Sequence, residues 1–299
     1  MNKKISGTEV SKVLYEELRE YLKEKDKLPK IVDISIGNDF GGQMYASMIK
    51  KKVESETGFP FESRHYDSIS YDELIKEIDI INNDEDIYGV MIQLPLPGEL
   101  KDRERDILDH ISTDKDVDGL TSLSAGNLMI GRNCFEPCTP KGIIALLKAY
   151  GVEIAGREVC IINRSNIVGK PLEQLFLKEN ATTTICHSKT KNLKEVVSRA
   201  DIVVAALNKQ EMINSDYIKE GAVIIDVGVH RNSEGKTVGD VDFNNVFDKC
   251  SLITPPTGGV GPMTICMLGY NSAYSIYGEE VLDVLDKAIE KAKNIVLER

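Results

Sequence analysis

Apolar residues Val10, Val13, Leu14, Leu18 and Leu22 recur at helical spacing behind Ser6, Gly7 and Thr8, which supply a cap, and predict a first helix near residues 8–24. The period then changes: KIVDISI at 30–36 is short, β-branched and closed by Gly37 and Asn38, as a strand should be. From Gln43 to Glu56 the helical period returns with a basic face. A strand from Phe61 to Tyr66, a helix from Tyr71 to Asn82 and a strand YGVMIQL closed by Pro95 and Pro97 continue the alternation. Strands alternating with helices predict a parallel sheet covered on both faces.

The stretch from Asp114 to Gly131 is rich in small and polar residues and reads as an ordered loop between units. A helix over Lys141 to Tyr150 opens a second series. Short apolar strands at 159–162, 182–186, 202–205 and 223–227 are separated by helical patterns at 170–178, 191–199 and 214–219, the rhythm of a doubly wound nucleotide-binding sheet. An apolar-periodic stretch from Pro262 through Tyr277 and an amphipathic helix from Val281 to Val296 close the chain, and the last helix is expected to return to the first domain. At 299 residues the chain exceeds what one core usually organises; a single large barrel is the alternative to two domains. The expected division is a first domain over 1–140, rejoined by 262–299, and a second over 141–261.

The net charge of −11 disfavours non-specific binding to nucleic acid or to an anionic membrane surface, while Lys50, Lys51 and Lys52 form a local basic cluster that leaves room for an anionic small substrate. No apolar run approaches the roughly 20 residues of a membrane span, and the amphipathic start shows no signal peptide, so a cytoplasmic location is expected. Six cysteines at 134, 138, 160, 186, 250 and 266 lack CxxC spacing and read as reduced thiols. The histidines at 65, 110, 187 and 230 have no paired helical spacing and no cysteine pairs nearby, so no metal site is legible; His187 is expected at a strand end beside a nucleotide loop.

Three stretches carry candidate chemistry. VCIINRSNIVGKP, 159–171, runs from a strand through a turn into a helix, which aims backbone N–H groups and the positive helix end at an anion; with Gly169 alone of the usual glycines, an ordinary turn explains it equally well. Tyr45 and the lysines on one helix, Gln93 at a strand's carboxyl end and Asp118 in the small-residue loop supply a proton carrier, an amide and a carboxylate for a polar heterocycle, although lysine runs are more often solvated faces and tyrosines more often packing. In TPPTGGVGPMT, 254–264, three glycines within four positions point to close backbone approach by a ligand, with a tight domain crossing as the alternative.

YGVMIQLPLP, DKDVDGL, PCTPKGI, RSNIVGKP, CHSKT, IDVGV, GDVDF and TPPTGGVGPMT occur in the order seen in the bifunctional methylenetetrahydrofolate dehydrogenase/methenyltetrahydrofolate cyclohydrolase family, which the chain resembles from about residue 5 to about residue 280. The resemblance implies an α/β fold with an N-terminal folate domain, a Rossmann-type doubly wound parallel-sheet NADP domain and a cleft between them, in a homodimer. The implied chemistry is oxidation of 5,10-methylenetetrahydrofolate with NADP, then opening of the methenyl cation by water to 10-formyltetrahydrofolate, with polyglutamylated folates among the substrates to be considered. By the same resemblance Tyr45 packs on the folate rings, Gln93 tunes the catalytic lysine, Asp118 holds the pterin, and Leu94, Pro95, Gly259 and Pro262 complete the substrate site. Arg164 and Ser188 hold the ribose 2′-phosphate, a task suited to a guanidinium and a hydroxyl. Asn163, Ser165, Ile167, Val168, His187, Asn208, Val229, Gly258 and Thr264 line the rest of the cofactor site.

This chain departs from the family pattern in several places. The position four residues after the tyrosine, where the family has its lysine, is Ile49; counting back from Gly58 aligns Lys50 instead, with Lys51 in reserve. One extra helical residue rotates a side chain by about 100°. Asn163, Asn208 and Gln210, His230 and Thr257 stand where a glycine, a glycine and a proline, an asparagine and a proline are usual. Asparagine tolerates positive φ, so Asn163 and Asn208 are expected to keep the turns while adding bulk near the nucleotide. Alternatives to the bifunctional enzyme are a relative with one activity lost, a non-catalytic folate-binding or regulatory protein, and a nicotinamide-dependent dehydrogenase for another substrate.

Overall fold

The computed structural model describes residues 3–38 and 40–298, and the outer ends of the expected domains at 1 and 299 lie outside them. In chain order the elements are α1 Gly7–Leu22, β1 Lys30–Ile36, α2 Phe40–Thr57, β2 Phe61–Tyr66, α3 Tyr71–Asn83, β3 Ile87–Ile92, α4 Glu104–Leu108, α5 Ser122–Met129 and α6 Cys138–Ala149. They continue with β4 Glu158–Ile162, α7 Gly169–Lys178, β5 Thr182–Cys186, α8 Leu193–Val197, β6 Ile202–Ala205, β7 Val223–Asp226, β8 His230–Arg231, β9 Thr237–Val238, α9 Phe243–Val246, β10 Leu252–Ile253, α10 Val260–Tyr277 and α11 Glu280–Leu297. The chain divides into two compact units: residues up to Leu14 with Thr139–Thr264 and those from Lys287, and Tyr15–Cys138 with Ile265–Asp286.

The second of these units holds a parallel sheet of order β2-β1-β3. Val32 and Ile34 of β1 and Val90 and Ile92 of β3 face Leu74, Ile78 and Ile81 of α3 in one core cluster, the strand period of two meeting a helical stripe. A capping box, with Ser70 accepting from the Glu73 amide and Glu73 from the Ser70 amide, starts α3. At its other end the buried Lys115 Nζ donates to the carbonyls of Ile81, Asn82 and Asp84, closing the helix with a cation at its negative end.

The other unit holds a five-stranded parallel sheet of order β10-β7-β6-β4-β5, the doubly wound arrangement. Residues 3–5 extend its β10 edge: the Ile253 amide donates to the Lys3 carbonyl and the Ile5 amide to the Ile253 carbonyl. Cys160, Ile162, Val203, Ala205 and Ile224 pack in one cluster with Val241 and Val246. Among the described residues no helix is long and apolar enough to cross a membrane, and all six cysteines are free thiols.

Three readings of the sequence change. Within the expected loop 114–131, residues Ser122–Met129 form α5: the Thr121 side chain caps it by accepting the Ser124 amide, so small polar residues that look like a loop supply a helix start and a packable face. The patterns at 191–199 and 214–219 shrink to the five residues of α8 and a 3₁₀ turn at Ser215–Tyr217. The short β8–β9 hairpin, turned by Gly235 at φ 75°, and β10 were too brief to show a period.

Gly119 has φ +70°, and a Cβ there would lie 2.6 Å from the Phe135 carbonyl oxygen, whereas Gly126 inside α5 has open space. Gly119→Ala is expected to lower stability by about 1–3 kcal/mol and Gly126→Ala to raise it by about 0.5–1 kcal/mol, read as opposite shifts in melting temperature.

Candidate functional site

The carboxyl ends of β1 and β3 lie side by side, because the ladder pairs Asp33 with Met91 and Ile34 with Ile92. The Gln93 amide N–H continues it by donating to the Ile34 carbonyl at 2.8 Å. Asp33 points to the face opposite the α3 cluster and is wholly buried. Its Oδ1 accepts from Gln93 Nε2 at 2.7 Å, while Oδ2 is buried with no hydrogen-bond partner among the described residues. Burial pushes this carboxyl up to about 6, the Gln93 hydrogen bond opposing.

Segment 115–118 runs beside β3: the Val90 amide donates to the Lys115 carbonyl, and Val117 sits so close over Gly89 that a Cβ there would be 2.7 Å from its Cγ1. Asn271 Nδ2 ties the Val117 and Glu136 carbonyls together at 2.8 and 2.9 Å. Asp116, buried, accepts from the Leu120 and Thr121 amides and the Ser124 hydroxyl, which fixes the turn that presents Asp118. Burial, then the charge of Asp116, push Asp118 up to about 6 while a hydrogen bond from the Cys138 thiol opposes and Asp33 adds to the rise. Tyr45 keeps 41% of its surface accessible. Even so, protein around its phenol pushes the pKa up to about 12, the Asp118 charge and then Cys138 adding to the burial effect. Asp33, Gln93, Asp118 and Tyr45 therefore form one chain of electrostatic neighbours within this unit. Leu94 is half-buried and Pro95 exposed just beyond Gln93, joined by a cis peptide bond.

On α2 the core face is Ala46, Ile49 and Val53. At about 100° per residue, Lys50 lies roughly 140° round the helix from Tyr45, across the buried stripe. It borders an open depression of about 500 Å³ with Ser47, Lys51, Glu54 and Ser55. Lys52 lies roughly 20° from Tyr45, on the same flank; its Nζ pairs with Glu56 at 2.5 Å and stands 5.7 Å from the Tyr15 ring centroid.

In the other unit β4 and β5 pair Ile162 with Cys186, so Arg164 and Ser188, each two residues further and exposed, emerge from neighbouring strand ends. His187 stands between, its amide donating to Thr190 Oγ1 and its Nδ1 accepting from the Lys189 amide. Asn163 does not hold its turn by positive φ as expected. Its Oδ1 accepts from the Ser165 and Gly169 amides at 2.7 and 3.0 Å, and its Nδ2 donates to the Ala206 carbonyl at 2.6 Å. Ser165 Oγ accepts from the Val168 amide, and Ile167 is exposed at the loop's tip. Gly169 must lack a Cβ, which would lie 2.3 Å from the Asn163 carbonyl oxygen. Asn208 does take positive φ, 55°.

Two buried acids that the sequence reading missed hold the next loops. Asp240 accepts from the Leu207, Asn208 and Lys209 amides and contacts His230 Nε2 at 2.8 Å. Asp226, pushed up to about 6 chiefly by burial, accepts from the Gly228, Asp240 and Val241 amides. Their signal was an aspartate beside a buried apolar residue in each of the motifs IDVGV and GDVDF. Val229, between them, is exposed. In loop 254–264 the glycines answer first to the chain itself. The Thr8 amide donates to the Gly258 carbonyl, and a Cβ on Gly7 would lie 1.8 Å from the Gly259 oxygen. Thr264 Oγ1 meets Thr139 Oγ1 at 2.9 Å, and Pro262 is half-buried.

A doubly wound parallel sheet with a strand-to-helix turn after β4 in one unit, and buried carboxylates with an amide at the sheet edge of the other, are the architecture of a nucleotide-dependent α/β enzyme. The chain belongs to the tetrahydrofolate dehydrogenase/cyclohydrolase family: residues 5–118 match its catalytic domain and residues 137–279 its NAD(P)-binding domain. It is 45% identical over 281 residues to the bifunctional protein FolD of Clostridium botulinum (strain Alaska E43 / Type E3), covering 92% of this chain and 98% of the relative. Among solved structures it resembles the bifunctional FolD of Campylobacter jejuni, with 38% identity, TM-score 0.86 and coverage of 91% of this chain and 97% of that one. It also resembles the Trypanosoma brucei enzyme complexed with NADP cofactor and inhibitor, with 31% identity, TM-score 0.83 and coverage of 96% and 98%.

Because Asp118 is held above its ordinary 3.8, at about 6, the folded chain binds that proton more tightly than the unfolded chain. Its contribution to stability is therefore lost as pH rises through that window and stays lost above it. Asp118→Asn is expected to melt above the wild type at pH 8 and level with it at pH 4, by scanning calorimetry.

Proposed function

We infer that the chain oxidises 5,10-methylenetetrahydrofolate to the methenyl cation with NADP and hydrolyses that cation to 10-formyltetrahydrofolate. The observation that carries this reading is the Gln93, Asp118 and Tyr45 neighbourhood at the carboxyl edge of β1 and β3, in a chain whose two halves match the two domains of the family. NADP, when bound, accepts the hydride. The residues present fit it: Arg164 and Ser188 offer a guanidinium and a hydroxyl at adjacent strand ends, and the crowded Gly169 position opens α7 where a pyrophosphate is favoured. Asn163 takes up two of the loop's amides, so cofactor binding leans more on Arg164 and Ser188. Ile167, Val168, His187, Asn208, Val229, Gly258 and Thr264 complete the proposed cofactor site.

For the folate, Tyr45 supplies a ring face and Asp118 an acceptor whose raised proton affinity suits a pterin carrying N–H groups, while Leu94, Pro95, Gly259 and Pro262 shape the remainder. The proposed division is a folate domain over 1–140 with 262–299 and an NADP domain over 141–261. A homodimer in the cytoplasm acting on polyglutamylated folates is proposed on the family resemblance.

Purified protein is expected to reduce NADP with methylenetetrahydrofolate and to accelerate decay of added methenyltetrahydrofolate, both followed by absorbance. Absence of both signals would sink the reading. Arg164→Ala should raise KM for NADP by about 10–100-fold, the loss of a charge-assisted pair, with KM for the folate little changed.

For the hydrolytic step Lys50 is the proposed proton carrier, on its alignment with the family lysine. Lys52 is the second reading, favoured by its position on the Tyr45 flank. Of Lys50→Met, Lys51→Met and Lys52→Met, the variant lacking the proton carrier should lose about 100-fold or more in cyclohydrolase kcat, and the other two should change less than tenfold.

A further inference from the structure

We propose that Asp33 is a positioning residue for the folate site: its carboxyl holds one end of the Gln93 amide and thereby decides whether oxygen or nitrogen of that amide faces the substrate. This rests on the reading of Gln93 as part of the folate site.

Asp33 sits on the central strand, wholly buried, inside the run KIVDISI. A carboxylate has no hydrogen to give, so the 2.7 Å contact to Oδ1 requires the Gln93 NH₂ to point inward and leaves Oε1 as the outward atom. A protonated Asp33 becomes a donor, which lets the amide turn round, oxygen inward and NH₂ outward. The unpartnered Oδ2 makes the charged form costly. Among the described residues, the groups around it do not offset that charge. α2 buries Ala46, Ile49 and Val53; the neighbours on β2 and β3 are Ser63 and Met91; Asp118 repels. With an apolar side chain at 49, Gln93 is oriented from below by an acid on the sheet.

The consequence falls on the cationic methenyl substrate. An outward oxygen favours the cation and an outward NH₂ does not, so ionised Asp33 supports the hydrolytic step. Cyclohydrolase kcat/KM should rise about tenfold between pH 5 and 7.5, the change in ionised fraction of one acid titrating near 6. Asp33→Asn should reduce this rise, with the remainder carried by Asp118.

The same switch is readable without turnover. The side-chain ¹⁵NH₂ resonances of Gln93, identified by their loss in Gln93→Glu, should titrate with a midpoint near 6 in the wild type and in Asp118→Asn, and stay flat in Asp33→Asn. A flat wild-type signal, or one that still titrates in Asp33→Asn, overturns the proposal. A titrating amide in a protein that turns over neither folate upholds the switch and overturns the functional reading instead. Melting temperatures of the Asp33→Asn protein check that it is folded when the signal is read.

Discussion

Parallel pairing is the constraint from which the rest follows. Parallel strands cannot be joined by a tight turn, so each returns through a crossover and all carboxyl ends gather along one edge of their sheet. In one unit that edge carries Gln93 beside the end of β1; in the other it carries Arg164 and Ser188 beyond a paired Ile162 and Cys186. Residues 60 positions apart, such as Asp33 and Gln93, meet because the ladder sets their register.

The chain is acidic, yet some of its carboxylates serve the interior. Asp116, Asp226 and Asp240 are buried, and each accepts several hydrogen bonds from loop amides or hydroxyls, standing in for backbone partners that an irregular segment lacks. Asp33 differs from them, with one partner and one bare oxygen. Acids of the first kind build loops; an acid of the second kind is poised to change state.

Regular elements were legible wherever a period had room to repeat. β1, β5 and β6 fall on the residues their apolar runs mark, since a run of β-branched residues between turn formers leaves few other registers. α5 was hidden because Ser, Ala and Gly are loop-like in composition and its cap, Thr121, looks like any other polar residue. Tyr45, Gln93 and Asp118 stood out through their motifs, while Asp33 was read only as part of a strand, because burial leaves no mark on a single letter. The glycines of 254–264 signalled close approach correctly, but what approaches Gly258 and Gly259 is the chain's own residues 7 and 8. The rotation of Lys50 away from Tyr45 and the return of Lys52 to its flank both follow from counting residues; the contacts of Lys52 with Glu56 and Tyr15 needed the helix in place.

Asn163 exchanges one kind of requirement for another. A glycine in a turn asks only for freedom of φ, and many sequences around it are compatible with that. Asn163 instead binds three partners on two strands' ends, and each net bond is worth about 0.5–1.5 kcal/mol, so the amides of Ser165 and Gly169 and the carbonyl of Ala206 have come to depend on it. Removing the side chain strands those groups, whatever freedom of φ it restores. The turn is thus held by a side chain and its bonds, not by the backbone's own freedom.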